Sequence, residues 1–215
     1  MTIKNTTGFT VSQLQAIHSK DNREPLVSLP DILCDYKRQD SHITSVLVRQ
    51  SLVEKLQKVQ ELLTLHNSKM QLLVIKGYHS PSYQEQYFLK ELLFQYQKDP
   101  FRDFEDLLET THQFVSLPTL AGYPTGGAID LTIMYADKEL NMGGTIEDFT
   151  SPEKFPTYST HISTEELENR LLLHDLMVEE GFAPCYKKWW HFSYGDLEWG
   201  AFYNLSESLY SPIFL

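Results

Sequence analysis

The chain has 215 residues, 41% hydrophobic, 13% aromatic and 22% charged, enough for one globular domain with a sizeable core and against intrinsic disorder. Eighteen basic residues against twenty-nine acidic ones give a formal charge of −11, which opposes nucleic acid or anionic membranes as partners. Two cysteines, Cys34 and Cys185, are too few for a disulfide framework or a Cys-rich zinc site. No stretch approaches the roughly 18 apolar residues of a membrane span. Met1 to Val11 lacks a charged-then-apolar export segment, so a cytoplasmic protein with idle thiols is expected.

No repeat or Gly/Ser linker divides the chain, so residues 1–215 are read as a single domain. Residues 1–42 mix short apolar pieces, among them Leu26, Val27, Leu29, Ile32 and Leu33, with turn residues. From Ile43 to His66, Val46, Leu47, Val53, Leu56, Val59, Leu62 and Leu63 recur at helical spacing and predict an amphipathic helix. Gln71 to Ile75 is a short apolar run fitting a buried strand, closed by Lys76-Gly77. Ser80-Pro81 supplies an N-cap and an N1 proline for a helix to about Gln97, and another is expected near Phe101–Phe114.

Gly126 to Ile133 reads as a glycine turn followed by an apolar strand with one carboxylate, Asp130, planted in it. Residues 141–163 read as a long loop. Ser163 or Thr164 then caps a helix that stops at Gly181, and Trp189 to Tyr194 forms a last aromatic strand. The expected class is α+β, a small and mostly antiparallel sheet flanked by helices. The apolar tail from Glu207 to Leu215 is expected to pack on the body.

Three features could carry chemistry. An ionised Asp130 among Ile129, Leu131 and Ile133 is costly unless it is paired, metal-bound or on an exposed face. His191, inside Trp189-Trp190-His191-Phe192, is a satisfied core histidine or a ligand. His79 lies where a strand turns through Gly77 into a helix, a place that often displays a functional side chain. No phosphate loop, CxxC pair or nucleophile elbow is present.

In this order the segments resemble the VanX-like D-alanyl-D-alanine dipeptidase family of zinc peptidases. The resemblance runs from about residue 46 to 194. It rests on Gly77-Tyr78, on Gly126-x-Ala128-Ile129-Asp130-Leu131-Thr132, and on Met142-Gly143, Gly181-Phe182 and Trp189-Trp190-His191-Phe192. It implies a VanX- or hedgehog-like metallopeptidase fold, and a zinc held by a motif His, the motif Asp and the last motif's His. Asp130 and His191 match. The motif His position holds Tyr123 and the motif Ser position Ala121. Lys188 stands where the resemblance implies a catalytic Glu, and His79 where it implies an oxyanion-stabilising Arg.

A phenol ligates zinc only after losing a proton of pKa near 10. Replacing the Glu by Lys188 removes the base that would deprotonate a zinc water and places a cation in its stead. Three readings follow. In the first, a degenerate family member keeps a pocket for a small peptide or amino-acid-like ligand, binds no metal and pairs Lys188 with Asp130. In the second, His79, Tyr123, Asp130 and His191 form a re-tooled site. It would hold a divalent metal, zinc or iron, or work without one through Lys188 or Tyr123. In the third, a zinc dipeptidase of cell-wall metabolism uses Tyr123 as a ligand and some other group in place of the Glu; Glu179 and Glu180 are near in sequence but sit at the end of the predicted helix, where solvent is expected to reach them. The sequence leaves the oligomeric state open.

Overall fold

A computed structural model describes residues 8–30, 45–148 and 150–214; Ile32, Leu33, Cys34 and Ile43 lie outside them. The elements in chain order are α1 (Val11–Gln15), β1 (Leu26–Ser28), β2 (Leu47–Arg49), α2 (Gln50–His66), β3 (Met70–Lys76), α3 (Pro81–Lys98) and α4 (Phe104–His112). They continue with β4 (Ala128–Tyr135), β5 (Lys138–Glu139), α5 (Thr164–Glu179), β6 (Ala183–Pro184), β7 (His191–Ser193) and α6 (Leu197–Phe202). The sheet order is β3-β4-β7-β6, with β5 also on β4 and every pairing antiparallel. Together with the flanking helices this is the expected α+β architecture.

β4 is the centre of the sheet and is buried from Ala128 to Ile133. Side chains alternate across a strand, so Ile129, Leu131 and Ile133 share one face. There they join Leu52, Leu56, Val59 and Leu63 of α2 and Leu173 and Met177 of α5 in the main core. Asp130 and Thr132 point to the other side of the sheet, and both are fully buried. Gly126, at φ 75°, turns the chain into β4 in a conformation where a Cβ would run into Leu26.

The helix predicted from Ile43 begins instead at Gln50, and Leu47 to Arg49 form a strand paired with β1. The cause is tertiary. Arg49 is buried, with its guanidinium donating to the carbonyls of Glu24, Thr125 and Ser211, and this holds the residue extended. α3 starts at Pro81 with Ser80 accepting from Tyr83 N, as the sequence indicates. α4 is shorter than expected because Asp103, not an earlier residue, caps it by accepting from Glu105 N and Asp106 N. Ser163 forms a full capping box with Glu166 at the start of α5, and the chain leaves that helix through Gly181 at φ 83°. The long loop between β5 and α5 contains a short 3-10 turn, Pro152–Lys154, and is pinned from α5 by Arg170 through the carbonyls of Met142 and Pro156.

The last strand is limited to His191–Ser193, since Lys188 N donates to Cys185 O and His191 N to Lys188 O in a turn just before it. The tail packs on the body as far as Ile213. Tyr210 is buried, Tyr78 donates to Ile213 O, and Ile213 N to Pro124 O. Phe214 is exposed.

Candidate functional site

The cleft side of the sheet carries a row of three polar residues on three adjacent strands. Asp130 on β4 lies directly opposite His191 on β7. On its other side it faces Lys76 of β3, and a bulge produces that match. Val74 opposes Leu131, so regular pairing would set Ile75 against Asp130; the register shifts between Val74 and Lys76 and puts Lys76 there. A 3-10 turn, Tyr123–Thr125, brings the fourth member over the row.

Asp130 Oδ1 accepts from Tyr123 OH at 2.6 Å and lies 2.8 Å from His191 Nδ1, while the phenol and that imidazole nitrogen are 3.1 Å apart. The three atoms form a closed triangle. Burial pushes the Asp130 pKa up. The hydrogen bond and charge of His191, the Lys76 ammonium and the Tyr123 hydroxyl outweigh it and leave the carboxyl below its ordinary value. His191 loses basicity to burial but gains more from Asp130, so its pKa is raised. Burial and the Asp130 charge hold Tyr123 well above the usual phenol value, which keeps it a protonated donor. Asp130 Oδ2 is buried without a hydrogen-bond partner.

Lys76 and Glu147 complete the charge pattern. Lys76 Nζ is 2.8 Å from Glu147 Oε1 and lies 5.1 Å from the centroid of the Tyr123 ring. Burial works against the ammonium, but Asp130 and Glu147 together raise its pKa. Glu147 is held at φ 59°, a conformation that side-chain-bearing residues seldom adopt, while its carboxylate makes this ion pair.

His79 stands against the Tyr123 ring, centroid to centroid 4.8 Å, and Tyr123 in turn contacts His191 at 5.1 Å. His79 Nε2 is bonded to Gln84 Oε1 at 2.6 Å, and its Nδ1 is buried without a partner. Burial drives its pKa down to about 4 despite the Gln84 bond, so the ring is neutral at pH 7.

These groups open onto a cavity of about 360 Å³ whose walls include Lys76, His79, Tyr123, Glu147, Lys188, His191 and Glu198. Thus His79, Tyr123, Lys188 and His191 line one chamber, with Asp130 beneath them. The expected Lys188–Asp130 pair does not form. The turn before β7 sends Lys188 Nζ to the Phe114 carbonyl at 3.0 Å, and Asp130 finds its cations in His191 and Lys76. Glu179 and Glu180, the nearby carboxylates of the dipeptidase reading, lie at the end of α5 away from the cavity walls; Glu180 O accepts from Lys55 of α2. Among the described residues, the carboxylates on the cavity are Glu147 and Glu198.

Lys76, Glu147 and Glu198 were missed by the sequence reading. Lys76 did carry a signal, as the one charge ending an otherwise apolar buried run. Among the described residues no three His, Cys, Asp or Glu side chains are placed to hold a metal ion together. Nor is any helix among them long and apolar enough to cross a membrane.

Comparison with known proteins gives the chain its relatives. A D-alanyl-D-alanine dipeptidase from Synechocystis sp. is 28% identical over 115 residues, covering 46% of this chain and 47% of that protein, so the match spans about half of the relative's length. The solved structure of the LD-carboxypeptidase LdcB, described as revealing the molecular basis of peptidoglycan recognition, superposes with a TM-score of 0.51 at 16% identity, over 86% of this chain and 77% of that one. A Zn(II) complex of the D,D-pentapeptidase VanY gives 0.43 at 12% identity, over 80% and 88%. The family model for D-ala-D-ala dipeptidases, peptidase family M15, matches residues 36–207, and the chain belongs to that family.

Proposed function

We propose that this chain uses the M15 cleft to bind a short peptide or amino-acid-like ligand and has given up standard zinc dipeptidase chemistry. The observation that carries this reading is the state of Asp130: one oxygen is shared by Tyr123 and His191, and a lysine stands on the neighbouring strand. A zinc ion bound by O and N atoms at about 2.0–2.1 Å separates its ligand atoms by roughly 3.3 Å, wider than the triangle found here. A protonated phenol is a poor ligand, and a half-buried ammonium nearby repels a dication. As arranged, the donor set does not fit zinc. Lys76 supplies the positive charge in its place.

The cavity supports the ligand class. Its volume suits a small molecule, and its walls carry both Lys76, Lys187 and Lys188 and the carboxylates Glu147 and Glu198, a pattern suited to a zwitterion. Neutral His79, with Nδ1 unpartnered, adds a hydrogen-bonding atom that desolvation does not penalise as a charge. Cys185, half-buried on the cavity wall, has its thiol pushed up to about 11 by desolvation, and this low reactivity suits a cytoplasmic setting.

The test pairs calorimetric titration with D-Ala-D-Ala and with single amino acids against a hydrolysis assay on the same preparation. Binding without release of D-Ala is the expected result, weakened at least tenfold by Lys188→Ala. Multiple-turnover hydrolysis that is lost on Asp130→Ala would overturn the proposal in favour of the dipeptidase reading.

A further inference from the structure

α3 is turned the wrong way round for a surface helix. Its buried positions are Gln84, Phe88 and Gln95, while Tyr83, Leu89, Leu93, Phe94 and Tyr96 are exposed. At about 100° per residue, Leu89, Leu93 and Tyr96 fall within some 60° of one another, about 130° round from the buried stripe. Two more large apolar side chains follow the helix in the chain, Phe101, 97% exposed, and Phe104, 62% exposed. Leu89, Leu93 and Tyr96 are themselves 53%, 55% and 49% exposed. Single exposed leucines need no explanation, but this run of large apolar side chains does.

We propose that this face of α3 is an interface with a second copy of the chain, the two α3 helices packing antiparallel about a twofold axis that crosses the helix midway between the levels of Leu89 and Leu93. Area is the first argument. Taking roughly 200 Å² per large side chain, these five residues leave roughly 600 Å² uncovered, against about 800 Å² per partner in a stable interface. The exposed Gln86, Lys90 and Gln97 beside the stripe supply the remainder as a polar rim.

Charge is the second argument. The chain as a whole carries −11, yet α3 is balanced, with Glu85 and Glu91 against Lys90 and Lys98, so copies meet here without the repulsion the rest of the surface imposes. The third argument is self-complementarity. A twofold midway between their levels sets Leu89 of one copy against Leu93 of the other and the reverse, the relation an isologous interface requires.

Light scattering on the eluting full-length chain at high micromolar concentration reads the outcome. The expected mass is twice the 25.0 kDa of one chain. The double variant Leu89→Glu/Leu93→Glu should elute as a single chain with its helical circular dichroism unchanged, since both side chains are more than half exposed. Phe101→Ser, a milder change, should raise the dissociation constant about tenfold. Leu65→Glu, an equally drastic change at an exposed leucine on α2, should leave the dimer intact. A wild-type monomer at every concentration would overturn the proposal and leave the face to a different protein. A dimer that survives the double variant, or one that Leu65→Glu dissolves, would overturn it too.

Discussion

The two faces of β4 are buried to the same depth by different physics. On one, Ile129, Leu131 and Ile133 join α2 and α5, and stability comes from apolar area removed from water. On the other, Asp130 is held by directional contacts with Tyr123 and His191 and by the charge of Lys76. Apolar packing tolerates any filler of the right volume. The polar face tolerates no missing partner, because each loss strands a desolvated group. Such a face is costly to keep for stability alone, and its place beside the cavity accounts for it.

The largest effect should come from stranding charge. Asp130→Ala leaves His191 without its anion and Lys76 with Glu147 alone, and should cost about 3–5 kcal/mol by chemical denaturation. Leu131→Ala, its neighbour on the apolar face, should cost about 3 kcal/mol through lost transfer energy and a cavity. An Asp130 variant as stable as wild type would break the contrast between the faces. Tyr123→Phe keeps the ring between the two imidazoles and removes only the hydroxyl; it should cost about 1–2 kcal/mol and bring the His191 titration, followed by NMR, to a changed midpoint.

A pH series sharpens the polar side. His79 is depressed to about 4, so between pH 6.5 and about 4 the unfolded chain takes up a proton there that the native site refuses, and stability falls as pH drops through that window. Asp196 works in the opposite sense. Burial raises its carboxyl to about 6, so the native state protonates it first and gains stability as pH falls below that value. The difference between wild type and His79→Gln isolates the histidine. The variant should lose less stability from pH 6.5 to 4, and parallel curves would contradict the buried neutral ring. His191 acts above that window. Its pKa is raised, so its contribution is complete below 6.5 and fades as pH rises through the native value.

The smallest stability effect belongs to the outer surface. Leu65→Glu, outside the proposed α3 interface, should change folding free energy by no more than about 0.5 kcal/mol, since its side chain is 84% exposed already.

Much of this was legible in the sequence where local chemistry decides structure. The Ser80-Pro81 start, the Ser163 cap and the Gly181 stop are read from single residues whose backbone preferences settle the matter. Asp130 and His191 stood out because each breaks an apolar run. What could not be read depends on tertiary pairing. β2 forms because Arg49 is gripped by three distant carbonyls, which no spacing of apolar residues reveals. Lys76 reaches Asp130 through a one-residue bulge, and Lys188 misses it because a turn aims the side chain across the cavity. Sequence distance from the metal motif suggested the wrong lysine; strand register supplied the right one.

The account turns on whether Asp130 is satisfied without a metal, and titrating zinc into chelator-treated protein by calorimetry asks this directly. The account predicts no saturable binding at a stoichiometry of one at neutral pH, and a first appearance of weak binding when Lys76 is replaced by methionine. Tight one-to-one binding by the wild-type chain, abolished by Asp130→Ala or His191→Ala, would contradict it.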